Sequence, residues 1–317
     1  MNILVTGGAG YIGAELIYRL SKCDDVEKIV VYDNLNRNNF NLFISGSNRM
    51  PNNKVQFVFG DLLDSRKLRK ELKNIHIVYH LAAVVNTPFS TIDSHIFEQV
   101  NNWGTAELVY AVEESKSVSK FIYLSSASVY GSSKKLVDEE TLPNPKTFYG
   151  ISKMRGEDHV RRLFNKMETA ILRCSNVYGY SPGMRFDSVI NKFMFEANFN
   201  NRISIHGTCK QARSFVSISK SSDILVALKH ITLPSDVYNL SDKNIEILDI
   251  VDVMKEIYTE LEFIFINQHL ELRDLKLQPA TKLSKYVEIP DTDFKQELLF
   301  FKEKFSFRSV EGIPAGN

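Results

Sequence analysis

The feature that most constrains the fold of this chain is a glycine-rich turn close to its first residue. An apolar run at residues 3–5 leads into TGGAGYIG at 6–13, and a helical pattern covers 11–22. Gly7, Gly10 and Gly13 satisfy G-x-x-G-x-x-G. Glycine permits a tight turn and a close backbone approach to a pyrophosphate, whose charge a helix N-terminus stabilises. The pattern predicts a strand, loop and helix that bind a dinucleotide.

An acidic residue stands where such a site needs one. Asp33 closes the second apolar run, 20 positions after Gly13. There a carboxylate can accept hydrogen bonds from the adenosine ribose, and it would repel a 2′-phosphate, which favours NAD over NADP. The order of strand, loop, helix, strand and acid argues against a chance surface aspartate. Asp61, after the third run, fits an adenine contact and a helix cap equally well.

The first half of the chain alternates short apolar runs with helical patterns. The runs are rich in Val, Ile, Phe and Tyr and mostly continuous, which is typical of strands covered on both faces of a parallel sheet. Strands are predicted at 3–5, 29–32, 55–59, 77–81, 121–124 and 170–172, and helices at 11–22, 64–74, 96–116 and 149–164. This order predicts an α/β fold with a doubly wound parallel sheet of the Rossmann type.

After about residue 173 the alternation of apolar runs with helical patterns becomes less regular. Short strands are predicted at 203–206, 215–218 and 237–240, and helices at 188–197, 247–261 and 294–305. We interpret residues 1–173 as an NAD-binding Rossmann domain and 174–317 mainly as a smaller, mixed α/β, substrate-binding lobe. Segments around 208–232 are expected to return to the first domain.

A tyrosine and a lysine with the spacing Y-x-x-x-K form the candidate catalytic pair, Tyr149 and Lys153. On a helix both would lie on one face, and the ammonium is expected to lower the tyrosine pKa from about 10. The tyrosine could then act as general base or acid, while the lysine holds the nicotinamide ribose. A solvated helix face is the alternative reading.

The same spacing occurs at Tyr18 with Lys22 and at Tyr130 with Lys134. The first pair lies in the helix that serves the pyrophosphate, and the second precedes a loop. The helix at 149–164 instead follows the strand at 121–124, whose carboxyl end borders the cofactor crevice and continues into two serines. Its position in the chain therefore favours Tyr149, over Tyr18 and Tyr130, as the catalytic tyrosine.

Charge and cysteine content limit the classes of partner and ligand that we expect for this chain. The formal net charge is +1, so no global field favours nucleic acid or an anionic membrane. No apolar run approaches a membrane span, and the N-terminus does not resemble a signal peptide. Cys23, Cys174 and Cys209 are widely spaced and odd in number. We expect reduced thiols in a cytoplasmic protein and no metal site.

Taken together, these segments resemble the extended short-chain dehydrogenase/reductase family, in its group of NAD-dependent nucleotide-sugar epimerases and dehydratases. The resemblance covers about the first 240 residues. Its matching segments are TGGAGYIG at 6–13, YDNL at 32–35, GDL at 60–62, HLAA at 80–83, NNWGT at 101–105, LSSASVYG at 124–131, YGISK at 149–153 and RCSNVYG at 173–179.

The resemblance implies a role for each matching residue. It assigns the catalytic roles to Ser126, Tyr149 and Lys153. The implied NAD contacts are Gly7, Gly10, Tyr11, Ile12, Gly13, Asp33, Asn34, Asp61, Leu62, Leu81, Ala82, Ala83, Asn101, Tyr149 and Lys153. The implied substrate contacts are Ser126, Tyr130, Asn176, Arg185, Arg213 and Arg273. Arginine binds phosphate bidentately, although a surface ion pair remains the alternative for each of the three.

The residues after the catalytic hydroxyl limit the chemistry. Dehydratases of the family usually carry an Asp-Glu pair there, whereas this chain has Ala127 and Ser128. The leading interpretation is an NAD-dependent nucleotide-sugar 4-epimerase of carbohydrate biosynthesis that transiently oxidises C4. A nucleotide-sugar 4-dehydrogenase or 4-ketoreductase is the alternative. SPGMRFD at 181–187 resembles enzymes that include 4-dehydrogenases of nucleotide-linked heptoses.

A non-catalytic NAD-binding regulator or scaffold is the third reading, which the retained Ser126, Tyr149 and Lys153 disfavour. The family resemblance also implies a homodimer through the helices at 96–116 and 149–164.

Overall fold

The computed structural model describes residues 1–44, 53–85, 93–207, 211–266 and 273–307 of the 317-residue chain. The strands are β1 (Asn2–Thr6), β2 (Lys28–Asp33), β3 (Val55–Phe59), β4 (Ile77–His80), β5 (Lys120–Ser126), β6 (Ser133–Val137), β7 (Glu168–Cys174), β8 (Asn176–Tyr178), β9 (Arg202–His206), β10 (Ala212–Ser217), β11 (Asp236–Leu240), β12 (Lys243–Glu246), β13 (Glu262–Ile266) and β14 (Leu275–Leu277).

The helices are α1 (Tyr11–Ser21), α2 (Ser65–Glu71), α3 (Ser94–Phe97), α4 (Thr105–Glu113), α5 (Phe148–Val160), α6 (Val189–Asn200), α7 (Ile218–Ala227), α8 (Ile247–Ile257) and α9 (Phe294–Lys302). A π-helical segment, Glu98–Gly104, joins α3 to α4 in one continuous rod. The helix predicted at 96–116 is therefore present, but its first part is wound more loosely than an α-helix.

The main sheet has seven parallel strands in the order β3-β2-β1-β4-β5-β7-β11. Apolar side chains of α1 and α7 cover one face, and those of α2, α4 and α5 cover the other. The strand order reverses between β1 and β4, which opens a crevice at the carboxyl ends of the strands. The predicted Rossmann-type fold is confirmed.

One strand differs from the prediction. The sequence pattern assigned residues 237–240 to the second lobe, but β11 is the edge strand of the main sheet, paired with β7. Val237 packs in the core on one face of the sheet, and Tyr238 and Leu240 pack in the core on the other. Burial on both faces therefore places this strand in the main sheet. The following α7 falls within 208–232 and packs on α1.

The remaining elements build a lobe over the carboxyl ends of the main sheet. One sheet has the order β12-β10-β14-β6, with β8 paired to β10, and β9 pairs with β13. A separate apolar core joins α6, α8 and α9. The division into two domains at residue 173 stays a prediction, because the chain crosses between these layers more than once.

In the part of the chain that the structure describes, no helix is long and apolar enough to cross a membrane. Cys23 and Cys174 carry free thiols, while Cys209 lies outside the described residues. The cytoplasmic location stays a prediction.

Candidate active site

A large cavity, of about 890 Å³, lies between the carboxyl ends of the main sheet and the second lobe. It brings together most of the residues predicted from the sequence. The predicted residues on its wall are Gly7, Gly10, Tyr11, Ile12, Gly13, Asp33, Asn34, Asp61, Leu62, Leu81, Ala82, Ala83, Ser126, Tyr149, Asn176, Arg185, Arg213 and Arg273.

The glycine loop is shaped for close backbone packing. Gly7 has a φ of +70°, and a Cβ atom there would lie 2.5 Å from the backbone nitrogen of Ala82. A Cβ atom at Gly13 would collide with the carbonyl oxygen of Gly7. No side chain caps the N-terminus of α1, and its first turn contains no acidic residue. The helix start can therefore offer its N–H groups to an anion.

Asp33 fixes this loop to the end of β2. Its carboxylate accepts hydrogen bonds from the backbone nitrogens of Ala9 (3.0 Å) and Leu35 (2.8 Å). A carboxylate has lone pairs for about four hydrogen bonds, so Asp33 retains capacity for ribose hydroxyls. The shape of the glycine loop, the free N–H groups at the start of α1 and the acceptor capacity of Asp33 together fit the dinucleotide that the sequence predicts.

Asp61 lies beside Asp33, at the end of the cavity that is predicted to hold the adenosine. Asn34 donates to Asp61 Oδ2 at 2.9 Å, and the backbone nitrogen of Leu63 donates to Oδ1. The N-cap of α2 is Asp64, which accepts from the backbone nitrogen of Lys67. The helix-cap interpretation of Asp61 is therefore wrong, and an adenine contact remains its predicted role.

Two predicted NAD residues, Asn101 and Lys153, are not on the cavity wall. Asn101 is fully buried in the π-helical segment, and its amide bonds both backbone groups of Val84 and the hydroxyl of Ser152. Val84 itself lines the cavity. The structure thus gives Asn101 an indirect role, since it positions the wall and α5 instead of facing the cavity.

The candidate catalytic hydroxyls meet where β5 ends and α5 begins. Ser126 and Tyr149 both face the cavity, and the Ser126 hydroxyl is close enough to influence the pKa of Tyr149. Gly150 makes this approach possible, because a Cβ atom there would lie 2.7 Å from the carbonyl oxygen of Ser128. Thr147 caps α5 by accepting from the backbone nitrogen of Gly150.

The charges around this pair differ from the expectation. Burial raises the pKa of Tyr149, and the Ser126 hydroxyl and nearby arginines oppose the shift without cancelling it. Burial also lowers the pKa of Lys153 to about 7, against the pull of Glu157. Lys153 Nζ lies 4.1 Å from the centre of the Tyr123 ring. The pair shares a helix face as predicted, but desolvation outweighs the expected lowering of the tyrosine pKa.

Two arginines face the cavity without a counter-ion. Arg213 and Arg273 make no ion pair with any described residue, and Arg213 Nε is buried without a hydrogen-bond partner. Burial and the charge of Arg273 lower the pKa of Arg213 to about 10. Two partly buried cations held close together with no internal partner form a site for an anion with more than one charge.

Arg185 is different, because it already has a partner. Its guanidinium forms a bidentate pair with Asp187, at 3.0 and 2.9 Å. This is the ion-pair alternative considered for this residue, although both side chains also line the cavity. Asn176 lines the cavity too, and its amide nitrogen donates to the carbonyl oxygen of Ser214 at 2.9 Å.

The predicted sugar contact at Tyr130 is not supported. Its hydroxyl donates to Asn239 at 2.8 Å, its ring lies against Arg173, and it is absent from the cavity wall. Arg173 is in turn bound to the buried carboxylate of Glu157. Tyr130 belongs to the scaffold behind the site because an internal polar network takes up its hydroxyl.

Several wall residues gave no signal in the sequence analysis. Arg37 lines the cavity, and Asn39 donates to the carbonyl oxygen of Ala9 at 2.9 Å, yet both lie in an asparagine-rich stretch without periodicity. Gln211 also lines the cavity. Its position two residues before Arg213 was a usable signal, because alternate residues of a strand share a face.

The segment from 179 to 187 covers the glycine loop. The Ser181 hydroxyl donates to the carbonyl oxygen of Tyr11 at 2.9 Å, and the Tyr11 hydroxyl donates to that of Gly179. A Cβ atom at Gly183 would lie 2.5 Å from the carbonyl oxygen of Gly10. These contacts connect the second lobe directly to the loop that serves the pyrophosphate.

Comparison with known proteins agrees with this geometry. Residues 3–241 match the model of the NAD dependent epimerase/dehydratase family. A dTDP-D-glucose 4,6-dehydratase of Bos taurus is 32% identical over 262 residues, which are 81% of this chain and 72% of the relative. A putative UDP-glucose 4-epimerase of Methanocaldococcus jannaschii is 30% identical over 263 residues, 80% of this chain and 81% of the relative.

Among solved structures, the UDP-glucuronic acid 4-epimerase of Bacillus cereus, in complex with UDP-glucuronic acid and NAD, superposes with a TM-score of 0.82. It is 27% identical, and the match covers 96% of this chain and 98% of that chain. The similar proteins thus include both dehydratases and 4-epimerases.

Proposed function

This chain belongs to the NAD-dependent epimerase/dehydratase family and is an NAD-dependent enzyme, and we propose that it is a nucleotide-sugar 4-epimerase. The glycine loop and Asp33 would hold the cofactor, and Arg213 with Arg273 would hold the substrate diphosphate. Ser126, Tyr149 and Lys153 would carry the chemistry between them.

One observation carries the choice of epimerisation over dehydration. Elimination of water needs a general acid for the leaving hydroxyl and a base for the neighbouring carbon. Among the described residues, the carboxylates on the cavity wall are Asp33, Asp61 and Asp187. The first two lie at the adenosine end, and the third is paired with Arg185. Beside Ser126 stand the buried Ala127 and the hydroxyl of Ser128, which supply neither group.

A second observation supports an epimerase over a dehydrogenase. An epimerase returns the hydride to the same substrate, so its cofactor need not leave between turnovers. The contacts of Ser181 with Tyr11 and of Gly183 with Gly10 hold this segment against the loop that would bind the pyrophosphate. Release of the dinucleotide would require this segment to move, which favours retention of NAD.

The proposed proton transfer uses the two hydroxyls that face the cavity. Tyr149 removes the proton of the sugar 4-hydroxyl and later restores it, while Ser126 donates a hydrogen bond to the same oxygen. NAD held by the glycine loop and Asp33 would supply the hydride acceptor for C4 and the hydride donor to its other face. A neighbouring positive charge favours the phenolate, so the charged form of Lys153 assists proton removal.

The enzyme should interconvert a nucleotide sugar and its 4-epimer. The test is product analysis by NMR with UDP-, GDP- and dTDP-linked sugars, with NADH absorbance followed in parallel. A 4-epimer that forms without net NADH is the expected result. Stoichiometric NADH would instead identify the 4-dehydrogenase. A 4,6-dehydrated product would contradict the argument from Ala127 and Ser128.

We also propose that two copies associate through α4 and α5. Trp103 and Phe148, in and beside these helices, expose 57% and 62% of their surface. Light scattering should give a dimer at micromolar concentration, and Trp103→Glu should give a monomer. Phe300→Glu is the matched control, because Phe300 is equally exposed (58%) on α9. A monomeric wild type would contradict the proposal.

A further inference from the structure

Lys153 carries a buried amine whose charge no carboxylate balances. The residue is 1% exposed, and its amine forms no ion pair and no hydrogen bond with the residues that the structure describes. Glu157 lies one turn further along α5, but Arg173 binds both of its carboxylate oxygens, at 3.0 and 2.8 Å. The ribose hydroxyls of NAD, its predicted partners, are neutral. A buried charge therefore needs another source of stabilisation here.

The face of the Tyr123 ring is in the right place to supply it. Lys153 Nζ lies 4.1 Å from the centre of this ring. The face of an aromatic ring is electron-rich, and it attracts a cation within about 6 Å of its centre. Gly156 lets α5 lie this close to β5, because a Cβ atom there would collide with the Tyr123 hydroxyl.

The ring is held rigidly from its other side. Tyr123 is fully buried and stacks on His80, with ring centres 5.2 Å apart and an angle of 25° between the planes. His80 Nδ1 lies 2.7 Å from the Thr6 hydroxyl, and Nε2 lies 2.9 Å from the Thr105 hydroxyl. Thr105 donates to the carbonyl oxygen of Asn101, so it accepts from Nε2–H, and Thr6 donates to Nδ1. A neutral imidazole satisfies both bonds, and no second charge is needed behind the ring.

The other titratable groups around Lys153 add little charge. Cys174 ends β7, and burial raises the pKa of its thiol to about 12, so the thiol is neutral near pH 7. Burial also raises the pKa of Tyr149 and lowers that of His80, so both are neutral as well. Besides the paired Glu157, the Tyr123 ring is therefore the group in this set that favours the ammonium.

We propose that the face of Tyr123 holds the ammonium of Lys153 in place and helps it to stay charged during hydride transfer. Tyr123 is then a positioning residue, which acts on the reaction through Lys153. This proposal rests on the proposed function, because it takes charged Lys153 as the group that assists Tyr149.

The test varies the ring charge while keeping its shape. Tyr123→Phe retains the aromatic face, and fluorinated phenylalanines at position 123 withdraw its electrons stepwise. Lys153 is titrated in NAD-free protein by NMR of isotope-labelled lysine, and its signal is identified by its loss in Lys153→Met. The protonation constant should stay within about twofold in Tyr123→Phe and should fall roughly tenfold with three fluorines.

A second measurement separates this effect from a packing defect. With Lys153 titrating near pH 7, a tenfold lower protonation constant leaves less of it charged as the pH rises. Single-turnover hydride transfer in the NAD-loaded protein with trifluorinated position 123 should slow less than about twofold near pH 6 and about tenfold near pH 8. A defect of packing alone would slow the reaction by the same factor at both pH values, and that result would overturn the proposal.

Phe121 provides the matched control. It is fully buried on the same strand, and no described cation lies over its ring. Fluorination of Phe121 should leave the titration of Lys153 unchanged. If Lys153 titrates alike throughout the Tyr123 series, or shifts as far in the Phe121 series, the proposal is wrong. The proposed function fails separately, by the absence of a 4-epimer, because the titration uses neither NAD nor substrate.

Discussion

The molecule has two candidate diphosphate sites, and they are built in opposite ways. At the cofactor end, eight consecutive residues from Thr6 to Gly13 form a turn whose helix N-terminus offers backbone N–H groups. At the substrate end, Arg213 and Arg273 come from β10 and from the residues just before β14. The first site uses the backbone and a helix dipole, whereas the second uses formal charge.

The difference has consequences for what each site tolerates. A backbone site depends on the absence of side chains, as the close approaches of Gly7 and Gly13 show. A guanidinium site depends on side chains that remain charged while partly buried, and burial lowers the pKa of both arginines. Shape should therefore govern binding at the cofactor end, and ionic strength should govern it at the substrate end.

The largest effect is expected at Tyr149, between the two sites. Tyr149→Phe removes only the hydroxyl, so NAD and UDP should still bind. General acid–base catalysis contributes about 10²–10⁴ in rate, and single-turnover hydride transfer should slow by that factor. Tyr18→Phe and Tyr130→Phe are the matched controls, since both tyrosines lie outside the cavity wall. A near wild-type rate for Tyr149→Phe would exclude the proposed mechanism.

The next test sharpens the description of the cofactor end. Asp33 should repel a 2′-phosphate, and juxtaposed like charges cost several kcal/mol, so NAD should bind at least about a hundredfold more tightly than NADP. Asp33→Asn keeps the shape of the side chain and should shrink this ratio. Fluorescence titration of both nucleotides measures it. Equal affinities in the wild type would show that Asp33 does not face the ribose phosphate.

The third test asks whether the cofactor and substrate sites really differ in their dependence on charge. Arg273→Ala removes charged hydrogen bonds worth about 1.5–3 kcal/mol, so the Kd of UDP should rise roughly 10- to 100-fold. The Kd of NAD should not change. Added salt should weaken UDP binding more than NAD binding. If salt affected both ligands alike, the two sites would not differ in the way described here.

The last test concerns stability, where the expected change at each pH step is small. The pKa of Lys153 in the folded protein is about 7, below its ordinary value of 10.5, so the unfolded chain binds more protons between these values. Its contribution to stability should therefore rise with pH across that window, by up to about 1.4 kcal/mol per pH unit. Denaturation of NAD-free wild type and Lys153→Met at several pH values measures the difference. A difference that stays constant would mean that Lys153 is charged in the folded protein.

Local patterns predicted the cofactor end well. The glycine loop, Asp33 and six of the seven strands of the main sheet are each encoded by neighbouring residues, and the structure has them where the pattern placed them. The pairing of Ser126 with Tyr149 was also foreseen, from the strand that ends at one residue and the helix that begins at the other. These predictions succeeded because turn chemistry and periodicity act over a few residues.

The substrate end was less predictable because its contacts span the chain. Only the fold shows that Tyr130 is held by Asn239, that Arg185 is paired with Asp187, and that Asn101 acts through Val84. Burial decided the direction of the pKa shifts at Tyr149 and Lys153, and spacing alone cannot report burial.

The sequence by itself determined the chain's family, its Rossmann-type sheet and the residues around the pyrophosphate loop, since each is written in a short continuous segment. The tertiary structure alone decided that β11 completes the sheet, that residues 179–187 cover the glycine loop, and that Arg213, Arg273 and Gln211 share one wall. Those features depend on pairing and burial between residues far apart in the chain, and no local pattern carries that information.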